Sequence, residues 1–175
     1  AWNSDNILAS AGDDNTVRFW TVEGNPIGLP QYGHSRRIIN IAWSPNKILA
    51  SSGDDGFIKF WNHKFKFLYY SSEQHDDFIG AIAWSSNNIL ASACDDGIIR
   101  LWNSKGRSIG SIDYDIIDEN DSIMDLVWNS KNILIGNDYN GNIKFWNESG
   151  KLIKTIITLP FPTVIKFNNQ FFALC

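Results

Sequence analysis

Apolar and polar residues alternate in short runs along this chain, and each run stops at a cluster of turn-forming residues. In the stretch 33–73, positions 38–43 alternate in strand fashion and end at Ser44-Pro45-Asn46. Positions 48–52 form a second run, 57–61 a third rich in aromatic and β-branched side chains, and 65–70 a fourth. Gly53-Asp54-Asp55-Gly56 separates the second from the third, a tight hairpin turn in which Gly and Asp tolerate positive φ. These predicted strands are termed a, b, c and d. The order recurs at 79–84, 89–93, 98–102 and 107–113, and again at 123–128, 133–137, 142–146 and 151–157.

Tryptophan fixes the period. Trp2, Trp43 and Trp84 stand 41 residues apart, as do Trp20, Trp61 and Trp102, and one step of 44 adds Trp128 and Trp146. All eight tryptophans belong to the repeat, so none is spare for a special site. A period of roughly 40–45 residues with four short strands per unit predicts an all-β fold, a β-propeller of four-stranded antiparallel blades. The expected division is 1–31 as a partial blade (the end of a, then b, c and d), then whole blades at 32–73, 74–113 and 114–157. Residues 158–175 read as strands a and b of a further blade, with Phe167 in the tryptophan position. Three whole and two partial blades leave sheet edges that ring closure would cover. With no initiator Met, the chain is expected to be one part of a propeller whose remaining blades are its first partners.

The units resemble WD repeats over essentially the whole chain. Gly33-His34 before strand a, the Asp-Asp turn, the Trp ending strand c and their spacing carry the resemblance. The c-to-d wording, as in Leu101-Trp102-Asn103-Ser104-Lys105-Gly106, is also similar to bacterial WD-repeat arrays, which are often joined to NTPase, kinase or protease modules. The resemblance implies a buried hydrogen-bond relay of His, Asp, Ser and Trp. His34 and His75 lie 27 residues before Trp61 and Trp102, Asp14, Asp55 and Asp96 six before their Trp, and Ser10, Ser51 and Ser92 ten before it. The chemistry suits burial: the indole N–H needs an acceptor, and a hydroxyl accepts and passes the bond on to an imidazole and a carboxylate. The fourth unit holds Asn140, Gly136 and Glu119 at these places, which predicts no relay there.

The same periodicity weighs against catalysis. Gly12-Asp13-Asp14 and Gly53-Asp54-Asp55 are similar to paired-carboxylate metal motifs, but their recurrence marks turns. His34 and His75 have relay roles, and no nucleophile–His pair, phosphate loop or Cys-x-x-Cys stands outside the repeat. Cys94 and Cys175 have no disulfide framework spacing. No signal peptide or membrane-length apolar run occurs, so a cytoplasmic chain is expected. With 15 basic and 19 acidic residues the chain is a poor candidate for nucleic acid. No enzyme activity, cofactor or metal is expected. The 113–121 segment carries five carboxylates and fits a solvated loop, a partner-binding loop or a calcium site without EF-hand spacing.

Placed on a propeller, the charges divide. The d–a and b–c loops share one face and hold 15 of the 19 acidic residues, opposed by Arg36 and Arg37. The other face holds Lys47, Lys64, Lys66, Lys105, Arg107, Lys131 and Lys151. This predicts a non-catalytic protein-interaction scaffold that offers an acidic face to a basic partner segment. Arg36, Arg37, Asp54, Asp76, Asp77, Asp95, Asp113, Asp115, Asp118, Glu119 and Asp121 are the candidate contacts. The alternative is a sensor or regulatory propeller within a larger signalling or defence protein.

Overall fold

The computed structural model describes residues 1–114, 122–157, 165–168 and 171–174. Every regular element among them is a strand, and no helix is long and apolar enough to cross a membrane. Leu8–Ala11 (β1), Thr16–Trp20 (β2) and Gln31–Tyr32 (β3) make a three-stranded sheet. Ile38–Trp43 (β4), Leu49–Gly53 (β5), Ile58–Trp61 (β6) and Phe67–Tyr70 (β7) form the first four-stranded blade in sequential order. Ile79–Trp84 (β8), Leu90–Cys94 (β9), Ile98–Trp102 (β10) and Ser108–Asp113 (β11) form the next. Ile123–Trp128 (β12), Leu134–Asp138 (β13), Ile143–Trp146 (β14) and Leu152–Ile156 (β15) form a third, and Ile165–Asn168 (β16) pairs with Phe171–Leu174 (β17).

One expected strand is largely missing. Strand d of the first unit shrinks to β3 plus an isolated bridge between Trp20 and Pro26. Pro26 and Pro30 lack the N–H a ladder needs, which breaks the strand that its apolar residues would otherwise support.

Each turn type recurs with one residue in the left-handed region. In the a–b turns these are Asn6, Lys47, Asn88 and Asn132, with φ of 59°, 60°, 60° and 54°. Asn tolerates this conformation, whereas a lysine there is strained. Lys47→Asn is therefore expected to raise stability by about 0.5–1 kcal/mol, since the exposed Lys47–Asp5 pair it removes contributes little. A thermal melt checks this, and an unchanged or lower midpoint would show that the turn is not strained.

The apolar core lies between blades rather than within them. Phe19 and Val17 of β2 pack with Ile38, Leu49 and Trp61 of the following blade. Ile58 and Phe60 pack in the same way with Ile79, Leu90 and Trp102, and Ile99 and Leu101 with Ile123, Leu134 and Trp146. Strand c therefore presents its Trp to the preceding blade and its Phe or Leu to the next. The tryptophans that end strand a tie the inner strands together. Trp43, Trp84 and Trp128 donate from Nε1 to the carbonyls of Ala1, Ala42 and Ala83, each one residue before the preceding inner tryptophan, at 3.2, 3.1 and 3.1 Å.

Candidate functional site

The d–a and b–c loops share a face, as alternating antiparallel strands require. Between the two complete blades that follow β3, this face holds a polar depression of about 390 Å³. Ser35, Arg36, Asp54, Asp55, Gln74, Asp76 and Asp77 contribute to its walls. Beneath it lies a chain of buried groups. Trp61 donates from Nε1 to Ser51 Oγ at 2.9 Å, and Ser51 Oγ lies 2.7 Å from His34 Nε2. His34 Nδ1 lies 2.9 Å from Asp55 Oδ1. The carboxylate only accepts, so Nδ1 carries the proton, Nε2 accepts, and the serine hydroxyl donates to it. Every polar group is then used. Gly33 is required beside this chain because a Cβ there would come within 2.6 Å of the Trp61 ring.

Lys59 completes the group. Its Nζ donates to Asp55 Oδ2 at 2.9 Å and to the Gly33 carbonyl, and lies 5.1 Å from the Tyr70 ring centroid. The side chains of His34, Asp55 and Lys59 are 0%, 4% and 3% exposed. Burial alone would raise the Asp55 pKa, but hydrogen bonds from His34 and Lys59 outweigh it and hold the carboxyl well below the usual carboxylate range. Burial pulls the Lys59 pKa down against the pull of Asp55.

The next blade repeats the arrangement with a change. Trp102 donates to Ser92 Oγ at 2.8 Å, and Ser92 Oγ lies 2.7 Å from His75 Nε2. His75 Nδ1 is 3.3 Å from Asp96 Oδ2, while Arg100 Nη1 donates to that oxygen at 2.5 Å and also touches His75 Nδ1. Burial and the neighbouring guanidinium push the His75 pKa down to about 4. His75, Cys94 and Asp96 bring three ligand-type atoms within 4.8 Å of one another. Arg100 already occupies this spot as a cation, and burial pushes the Cys94 thiol up to about 12, so neither metal binding nor thiolate chemistry is favoured there.

The first unit makes only part of the chain. Trp20 donates to Ser10 Oγ at 2.8 Å, but Asp14 is not joined to it. Asp14 sits at the surface, bonded to Thr16 and paired with Arg18 at 2.8 Å, a correction to its expected relay position. In the fourth unit Gly136 replaces the serine, and a Cβ there would meet the Trp146 ring at 3.1 Å. The buried carboxylate there is Asp138, 3.6 Å from Lys144 and accepting from the Asn142 backbone. Arg18, Lys59, Arg100 and Lys144 thus form a cationic series at the repeat period, each four residues after the turn position. The acids of these turns stand out in the sequence, whereas the cationic series is marked only by its spacing.

The candidate contacts divide by environment. Arg36, Asp76, Asp77 and Asp113 are exposed. Asp54 and Asp95 are half-buried, and Arg37 donates to Asp54 at 2.5 Å, so this pair is partly spent on itself. Burial raises the Asp95 pKa against a bond from Ser122. Asp115, Asp118, Glu119 and Asp121 lie outside the described residues, as does the expected acidic loop.

Blades that pack Trp against their neighbours and join Ser, His and Asp beneath the turns define a repeat propeller. The WD domain, G-beta repeat model matches residues 1–21, 26–62 and 67–103, more than half of the chain. The chain belongs to this WD40 repeat family. Membership indicates a protein-interaction propeller scaffold. The unmatched remainder contains the unit that lacks the serine and turn aspartate. Among solved structures, the computationally designed Ika8 protein is similar, with a TM-score of 0.79 and 27% identity over 95% of this chain and 51% of that one. The chain spans about half the length of that protein. No curated protein matches it.

Proposed function

We propose that the chain is a non-catalytic interaction platform whose acidic loop face receives a basic protein segment. The observation that carries this reading is the polar depression with Asp54, Asp76 and Asp77 on its walls. Asp76 and Asp77 are exposed and lie outside the buried chains, so their charge is available to a partner. The buried chains fix the turns beneath the depression, so the acids are presented on a rigid rim and attract cations by steering.

The test is binding of a fluorescent Arg- and Lys-rich peptide to the whole chain. Asp76→Lys with Asp77→Lys should slow association roughly tenfold, more at low salt than at high. Lys64→Glu with Lys105→Glu on the opposite face should leave it close to unchanged. Equal losses from both pairs, or binding that survives the first, would reject the reading.

A further inference from the structure

We infer that copies of this chain stack head to tail, the acidic loop face of one seated on the cationic turn face of the next. The inference rests on the acidic face being a docking surface, and it names the partner as a second copy.

The partner's chemistry is supplied by the chain itself. On the face opposite the acids, Lys64, Lys66, Lys105, Arg107, Lys131 and Lys151 are exposed and form no ion pair among the described residues. Lys47 is excluded because it is paired with Asp5 at 2.7 Å. A protein of net charge −4 has therefore kept six unpaired cations on one side while exposing Asp13, Glu73, Asp76, Asp77 and Asp113 on the other. Exposed Arg36 on the acidic side and Glu23 and Glu148 on the cationic side reduce these charges without reversing them, so each side still complements the other.

The spacing of the two sets also agrees. The acids of the b–c turns, Asp13, Asp54 and Asp95, recur once per blade, and so do the c–d turn cations, Lys66, Arg107 and Lys151. A coaxial copy rotated by one blade brings Lys66, Arg107 and Lys151 over Asp13, Asp54 and Asp95. The two turn types differ in radius by one strand, about 4.8 Å, a gap that a lysine side chain spans. Such a contact is heterologous: it uses different patches on the two copies and leaves both outer faces free for further copies.

Sedimentation velocity of the whole chain tests this with two charge-reversed forms. One carries Asp76→Lys and Asp77→Lys, and the other Lys64→Glu, Lys66→Glu, Lys105→Glu and Arg107→Glu. The wild-type chain should form dimers and larger species as concentration rises at low salt, and these should dissociate at ~1 M salt, where screening acts within ~3 Å. Each reversed form alone should sediment as a monomer, since the first cancels the negative charge of its loop face and the second makes both of its faces acidic. An equimolar mixture of the two should associate again, because the reversed face of one complements the reversed face of the other. A monomeric wild type, association that ignores salt and both reversals (pairing through open strand edges), or a mixture that stays monomeric would overturn the inference. If the basic peptide still binds the wild-type chain in those cases, the acidic-face reading stands and only the stacking falls.

Discussion

An Asp55→Ala chain is expected to lose about 3–5 kcal/mol of stability, the range seen when one partner of a buried ion pair is removed. That is a large share of the roughly 5–15 kcal/mol that holds a domain folded. Asp55 is the hub of its blade, accepting from His34, Lys59, the Ser35 amide and the Phe57 amide. Without it the buried Lys59 ammonium keeps only the Gly33 carbonyl and the Tyr70 ring. Denaturant midpoints give the loss directly. Adding Lys59→Met should recover a substantial part, because the uncompensated charge goes with it, and this non-additivity separates the ion pair from generic damage to the turn. A loss under about 1 kcal/mol for Asp55→Ala would mean that the pair does not stabilise the blade.

Acid should destabilise the fold through His75 before it reaches the carboxylates. The unfolded imidazole titrates near 6.5, and the buried one at about 4. Between those values the unfolded chain binds a proton that the native chain refuses. Stability is therefore fully present above pH 6.5, falls as pH drops towards 4, and levels off below. The difference corresponds to about 3 kcal/mol at the bottom of that window. The carboxyls of Asp55 and Asp96, held below their ordinary range, add their own losses only as pH falls further. Midpoints measured from pH 7 to 4 check the window. His75→Gln should be less stable at pH 7 yet nearly flat across it, and a wild-type profile with no slope there would contradict the burial of a neutral His75.

The repeat was legible because its signals are side chains at fixed offsets. Ser51, His34 and Asp55 sit 10, 27 and six residues before Trp61 in the sequence, and the blade closes the four into one chain of bonds. The tryptophans ending strand a gave half of their meaning. Their spacing was plain, but their acceptors are backbone carbonyls in the preceding blade, which no residue type announces. Lys59 is inconspicuous in the sequence for a different reason. A lysine in a strand ordinarily reaches solvent, and only the carboxylate four residues earlier, folded back over the turn, makes its burial tolerable. In the first unit the apolar pattern implied an outer strand, yet Pro26 and Pro30 remove donors that the pattern alone does not count. In the fourth, Asn140 signalled the missing relay, but nothing signalled that Asp138 would become the buried carboxylate instead.

Hydrogen–deuterium exchange of the whole chain, with and without the Arg- and Lys-rich peptide, tests most directly whether the acidic loops are the docking face. At a concentration where the chain is monomeric, slowed exchange should fall on segments 35–37, 54–57 and 73–78, with the turns at 62–66 and 103–107 unchanged. Protection confined to those opposite turns, or none on the acidic loops at saturating peptide, would contradict it.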